Sequence, residues 1–225
     1  MNVEGGSSAY RLSASELVRE QATVLAPGVL LLPVLTPAAC RRLLDEISAR
    51  REALGARRPP SSMHDHGVMT GSIGMDGLVD QVREHLSAEI SAHFPLQGGE
   101  AIDHHHSYLV EYGRGLDEDL GFHVDDSEVT VNLCLGEEFS GAELLLLGAR
   151  CDVHRQSPVT ESEVIEIEHQ PGQAVIHAGR QRHRVDPIQR GVRRNLIAWL
   201  RSSSYRAAQE GQVPSCHPWC GLYRG

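Results

Sequence analysis

His123 and Asp125 stand two residues apart in Gly121-Phe122-His123-Val124-Asp125, and His183 and Arg193 follow far downstream. Two imidazoles and a carboxylate can occupy one face of a divalent metal and leave its other positions open. In an extended chain His123 and Asp125 project to one side and Val124 and Asp126 to the other, so Asp125 is the expected ligand. His169, His177 and His183 are the candidates for the third position. His183 is singled out because Pro187, Gly191 and Arg193 follow it at offsets of four, eight and ten. Arg193 would add a permanently charged guanidinium that forks onto a carboxylate, suited to the far end of a small dianionic cosubstrate.

Such a site needs separate strands that meet. From residue 101 onward short strands alternate with turn signals: 107–112, 127–135, 142–147, 164–169, 173–177 and 195–202. In the second of these, Val129, Val131, Leu133 and Leu135 alternate with Thr130, Asn132 and Cys134, which gives a strand one apolar and one polar face. Six or more short strands punctuated by Gly and Pro imply a barrel or double-sheet jelly roll of the cupin-like class. Upstream, 29–35 reads as a short buried strand. Thr36 then caps a helix over 37–54 with Pro37 at its first position. A second amphipathic helix is expected over 75–93, with Leu78, Val79, Val82, Leu86, Ile90 and Phe94 on its apolar stripe. The expected organisation is a flexible N-terminus over 1–22 and a single domain over 23–203, followed by a C-terminal tail over 204–225. Within the domain, helical support spans 36–95 and the jelly-roll core 101–202. A long loop over 57–72 lies between the helices.

A chain of 225 residues with 40% hydrophobic and 23% charged residues is an ordinary globular composition. The net charge of −9 disfavours an extended grip on nucleic acid. No apolar run is long enough to cross a bilayer as a helix, and no secretory signal is evident. Five scattered cysteines argue against a disulfide framework. A cytoplasmic protein without membrane association is expected.

The pattern across residues 107–200 resembles the prolyl-4-hydroxylase-type branch of the Fe(II)/2-oxoglutarate-dependent dioxygenase superfamily. The His-x-Asp pair, the distal His and the basic residue ten positions later carry the likeness, and 139–144 is similar to that family's Phe-x-Gly-Gly-x-Leu turn, with Ala142 in place of the second Gly. A narrower likeness, carried by 58–68, 127–132 and 194–203, is to the 2-oxoglutarate and iron-dependent oxygenase domain-containing proteins of animals and plants. The resemblance implies an α+β fold with a double-stranded β-helix (jelly-roll, cupin-like) core and two N-terminal helices packed on the sheet. It implies Fe(II) held by His123, Asp125 and His183, and 2-oxoglutarate bound by Arg193 with Tyr112, Asn132 and Thr130 as further contacts. Oxygen would be the second cosubstrate and ascorbate a supporting reductant. The implied reaction is hydroxylation of an unactivated C–H bond of a peptide, amino acid or small metabolite, with release of succinate and CO2. Asp125 disfavours halogenation, because related halogenases open the carboxylate position for chloride.

The alternative is a non-catalytic metal- or ligand-binding jelly roll, which would have no use for a carboxylate clamp such as Arg193. Other motifs have plainer readings. His104-His105-His106 cannot converge on one ion from an extended strand. His64-Asp65-His66 fits a loop bordering the active site, and His177 a contact beside it. Cys216 and Cys220 with His217 have a spacing compatible with zinc, but a fourth ligand is not evident and Trp219 suggests packing.

Overall fold

The computed structural model describes residues 10–55, 63–136 and 138–224. The expected loop at 57–72 therefore lies partly outside the described residues, as does the expected flexible N-terminus at 1–22. Twelve strands and four α-helices are found among those described.

Helix α1 (Pro37–Leu54) begins where Thr36 accepts the Ala39 N–H at 3.2 Å and ends at Gly55 in the left-handed region. It buries Ala39, Cys40, Leu43 and Ile47. The second expected helix is instead two, α2 (Asp76–His85) and α3 (Ser87–His93), broken at Leu86, whose ψ of 2° leaves the helical basin. The apolar stripe runs through the break, so the sequence period continues although the helix does not. Helix α4 (Ser203–Gln209) opens the tail, with the Ser202 hydroxyl accepting the Tyr205 N–H.

The larger sheet contains β1 (Thr23–Ala26), β2 (Val29–Pro33), β3 (Gly67–Met69), β4 (His104–Gly113), β6 (Val129–Gly136), β10 (Gln173–Ala178) and β12 (Ile188–Arg201). Its order is β1-β2-β10-β6-β12-β4-β3, and β7 (Phe139–Gly141) pairs with the start of β12. The smaller sheet contains β5 (Leu120–His123), β8 (Leu144–Ala149), β9 (Val164–Ile167) and β11 (Gln181–Val185) in the order β5-β11-β8-β9. Every strand pairing is antiparallel.

Strand parity creates two cores. Val129, Val131, Leu133 and Leu135 of β6, Ala174 and Ile176 of β10, and Leu196, Ala198 and Leu200 of β12 join the apolar faces of α1, α2 and α3. Burying each large aliphatic side chain stabilises this layer by roughly 1.5–3 kcal/mol. The opposite face looks into the space between the sheets, where Tyr108, Val110, Tyr112, Val175 and Ile197 meet Leu120, Leu144, Leu146, Ile167 and Val185. The polar residues of β6 therefore face a second core rather than water.

The segment 10–22 is not the flexible stretch expected. Tyr10 and Leu12 are buried in the helical core, and the Gln81 amide pairs with both backbone groups of Leu12 at 2.9 and 2.7 Å. Arg42 lies over the Tyr10 ring and forks onto Glu16. Two apolar side chains and a side-chain clamp on the backbone outweigh the polar composition that suggested disorder.

Ala142, with φ of 57°, is the non-glycine residue in the left-handed region among those described. Its N–H donates to Pro187 and its carbonyl accepts from Arg193, so this turn joins the sheets and aims a carbonyl into the interior. Ala142→Val should lower stability by roughly 2–3 kcal/mol, because a β-branched residue is poorly tolerated at this φ. Ala142→Gly should stay within about 1 kcal/mol of the parent, strain relief offsetting the lost methyl. Denaturant midpoints for the two variants check this ordering.

Candidate active site

His123 ends β5, and His183 lies directly opposite it in the antiparallel register of β11. The two rings stand 4.0 Å apart between centroids. Each Nδ1 faces a backbone carbonyl, Gly121 at 2.8 Å for His123 and Gln181 at 2.9 Å for His183. A carbonyl only accepts, so the proton sits on Nδ1 and both Nε2 lone pairs are free.

Those lone pairs face Asp125. The distances to its Oδ1 are 3.6 Å from His123 and 3.7 Å from His183. These are too long for hydrogen bonds and leave room for an ion with bonds of about 2.1 Å. Asp125 does not extend β5, which stops at His123. A turn carries it instead, with the Asp125 N–H on Gly179 at 2.9 Å and the Gly179 N–H on Glu128 at 3.0 Å. A Cβ at Gly179 would collide with the Ser127 carbonyl, so a side chain there would displace the turn. Thr130 donates to Oδ2 at 2.6 Å and is itself joined to Ser127, leaving Oδ1 for the imidazoles.

Burial pushes the Asp125 carboxyl up, but the charge that His183 and His177 carry when protonated in acid, together with the Thr130 hydroxyl, outweighs it and holds the carboxyl below the usual range. Burial pushes His123 down to about 4, and His183 also falls, with burial as the main cause. An ionised carboxylate beside two neutral imidazoles is the protonation state that metal coordination requires.

His177 is fully buried beside the triad, its Nε2 3.9 Å from Asp125 Oδ2. Its Nδ1 is satisfied by the Ala178 carbonyl, while Nε2 has no hydrogen-bond partner among the described residues. The donor set and this orphaned acceptor fit a site built for an ion and a further polar ligand.

Arg193 is fully buried between the sheets. It donates to Asn195 Oδ1 at 3.0 Å, to the Ala142 carbonyl, and to His169 Nδ1 at 3.0 Å. None of these partners is anionic, and no carboxylate among the described residues pairs with it. Tyr112 lies under the guanidinium, with 5.9 Å from Cζ to the ring centroid. The Tyr112 hydroxyl meets His64 Nε2 at 3.1 Å, and burial raises the Tyr112 pKa and lowers that of His64 to about 4. Thus His64 reaches the interior from the expected border loop, while Asp117 holds the backbone of Asp65 and His66.

Among the sequence-predicted cosubstrate contacts, Thr130 supports Asp125, and Asn132 accepts a bond from Asn195, which in turn aligns Arg193. His169, once a candidate ligand, donates through Nε2 to Gln173 and accepts from Arg193. Sequence reasoning missed Asn195, for which strand parity was the available signal, because it stands two residues from Arg193 on β12 and so shares its face. His104, His105 and His106 do not converge: the first pairs with Asp103, the second with Ser107, and the third packs on Trp199.

A cavity of about 590 Å³ lies between the 124–128 turn and the tail. It reaches the triad only at Asp125, and its far wall includes Tyr205, Pro214 and Trp219.

No family model matches the chain. It is 40% identical over 200 residues to the Arabidopsis thaliana 2-oxoglutarate and iron-dependent oxygenase domain-containing protein ICU11, covering 87% of this chain and 50% of the relative. It is 35% identical over 176 residues to the mouse 2-oxoglutarate and iron-dependent oxygenase domain-containing protein 2, covering 77% of this chain and 49% of the relative. The chain thus spans about half the length of the curated relatives it matches. Its fold is similar to that of a prolyl hydroxylase solved in complex with a hypoxia inducible factor oxygen degradation domain peptide fragment from Trichoplax adhaerens. That match has a TM-score of 0.57 at 14% identity and covers 83% of this chain and 88% of the other. The resemblance read from the sequence and the double-stranded β-helix core therefore both hold.

The buried His169 yields a pH prediction. Burial, reinforced by Arg193, holds it at about 3, against about 6.5 when unfolded. The unfolded chain takes up a proton below about 6.5 that the native chain refuses, so stability is full above that pH and is lost as pH falls toward 3. Paired carboxylates such as Glu163, held at about 2 by Arg150, act in the same direction but only below about 4.5. The fall in Tm between pH 6.5 and 4.5 should therefore be shallower in His169→Gln, and an unchanged slope would remove His169 from the linkage.

Proposed function

We propose that this chain is an Fe(II)- and 2-oxoglutarate-dependent dioxygenase that hydroxylates an unactivated C–H bond of a peptide, amino acid or small metabolite. The observation that carries this reading is a guanidinium, Arg193, buried without an anionic partner in the same interior as a His/Asp/His triad. Burying an unpaired charge costs several kcal/mol, and a carboxylate ligand would offset that cost. A non-catalytic jelly roll has no need of such a residue. The curated relatives carry 2-oxoglutarate and iron in their names.

In this reading His123, Asp125 and His183 hold the iron. When bound, ferrous iron and 2-oxoglutarate supply oxygen activation, one atom of O2 entering succinate and the other the product alcohol, with CO2 lost from 2-oxoglutarate. The protein supplies alignment. Gly121 and Gln181 fix the imidazole tautomers, and Thr130 turns one carboxylate oxygen toward them. Arg193 receives the far carboxylate of 2-oxoglutarate, aligned by Asn195 and Asn132, with Tyr112 and His64 forming the wall beside it. His177 offers an acceptor for a donor on a bound ligand. The two-layer core keeps water away and strengthens each of these interactions. Asp125 lines the cavity between the 124–128 turn and the tail, and substrate would approach from that side.

Anaerobic addition of Fe(II) and 2-oxoglutarate should produce the weak visible charge-transfer band of the chelate, and its absence in folded protein would defeat the proposal. His183→Ala should lose iron and the band together. Arg193→Gln should retain iron but require roughly 30-fold more 2-oxoglutarate for half-saturation, the equivalent of ~2 kcal/mol from a charge-assisted contact. Succinate formation in air with ascorbate present tests turnover.

A further inference from the structure

Cys151, His154, Cys216 and Cys220 converge on one point at the end of the smaller sheet, remote in sequence from the triad ligands. All four ligand atoms lie within 4.8 Å of one another. His154 Nδ1 stands 3.4 Å from the Cys151 sulfur, 3.4 Å from that of Cys216 and 3.6 Å from that of Cys220. A single imidazole proton cannot serve three sulfurs, so hydrogen bonding does not account for the arrangement. A shared tetrahedral centre does: zinc bonds of about 2.3 Å to sulfur and about 2.0–2.1 Å to nitrogen place the two ligand types about 3.5 Å apart.

We propose that this cluster is a structural zinc site, Cys3His, that staples the C-terminal tail to the dioxygenase core. It is independent of the iron reading. The ligands come as two local pairs. Cys151 and His154 flank a short turn in which the His154 N–H donates to the Cys151 carbonyl at 3.1 Å. Cys216 and Cys220 flank a second turn, in which the Cys220 N–H donates to His217 at 2.9 Å. Two-residue and three-residue separations are the spacings of paired zinc ligands. His217 is not among the four: its ring stacks on Trp219 at 5.0 Å with 13° between planes. The sequence displayed the tail pair, but its partners lie in a connection some sixty residues upstream.

The surroundings suit an enclosed centre. Cys151 and Cys220 are buried, and the other two ligands are half-buried. The Gly221 N–H bonds the Ala149 carbonyl at 3.0 Å, which anchors the tail backbone beside the end of β8. Arg150, next to Cys151, is buried against Glu163. Four protein ligands leave no open position, so the site is structural rather than catalytic. Its consequence for the enzyme is mechanical. Pro214, Ser215, His217 and Trp219, which line the cavity reaching Asp125, lie within or beside the stapled turn. Zinc would hold that wall in place.

The test uses the full chain carrying His123→Ala, Asp125→Ala and His183→Ala together, so that metal at the triad cannot contribute. Expressed with zinc, it should retain about one zinc per chain after desalting, with an X-ray absorption shell of three sulfurs and one nitrogen. Cobalt substitution should give the intense visible bands of tetrahedral thiolate coordination. Adding Cys216→Ser and Cys220→Ser should abolish retention and raise amide exchange across 211–224. Absence of zinc from folded triad-deficient protein, a shell of only nitrogen and oxygen, or a Cys216–Cys220 disulfide in the native chain would each overturn the site. These readouts involve no turnover, so failure here and failure of the iron assignment are distinguishable.

Discussion

The register between β5 and β11 is the constraint on which the rest of the site depends. It sets His183 directly across from His123, and a slip of one residue would turn one imidazole away from the other. The short β5 cannot impose this alignment by itself. Strand β11 is secured from its other side, where the buried Arg182 guanidinium bonds the carbonyls of Leu147, Gly148 and Ser157. Arg182 thus fixes the strand that carries His183. The third member arrives by a turn, not by a strand, and Gly179 lets that turn pack closely enough to bring Asp125 beneath the two rings.

The larger sheet divides its labour by face. One face of β6, β10 and β12 packs on the helices with apolar side chains. The other carries Thr130, Asn132, His177, Arg193 and Asn195 into the space between the sheets. Polar groups in such a place are costly unless bonded, and nearly all are bonded, chiefly to one another and to backbone carbonyls. Two deficits are informative: an imidazole acceptor without a donor at His177, and a cation without an anion at Arg193. Both are aimed at the interior that the triad shares, and both are deficits that a bound ligand of the right chemistry would fill.

Two metal sites of different character would then sit in one small domain. Imidazole and carboxylate with open positions suit ferrous iron, whereas three thiolates and an imidazole in a closed tetrahedron suit zinc. Ligand type thus separates the ions, and the segment between β8 and β9 contributes half of the zinc set.

Much of this molecule was legible as local pattern. The α1 boundaries follow from Thr36, Pro37 and Gly55, because capping is decided by adjacent residues. The alternation in β6 was visible, and so were His123, Asp125, His183 and Arg193 as a set of spacings. Strand β11 escaped notice because Gln-Arg-His-Arg-Val shows no apolar alternation, its burial being possible only once Arg182 finds carbonyls on β8. The break at Leu86 left no mark in a stripe whose period ran on. Composition and spacing determined which chemistry the chain could carry and which strand faces were apolar. Tertiary structure alone decided that Thr130 bonds Asp125, that His169 leans on Arg193, and that Cys151 and His154 meet the tail. Those outcomes depend on contacts between residues distant in sequence, and local propensity carries no information about which distant partner will arrive.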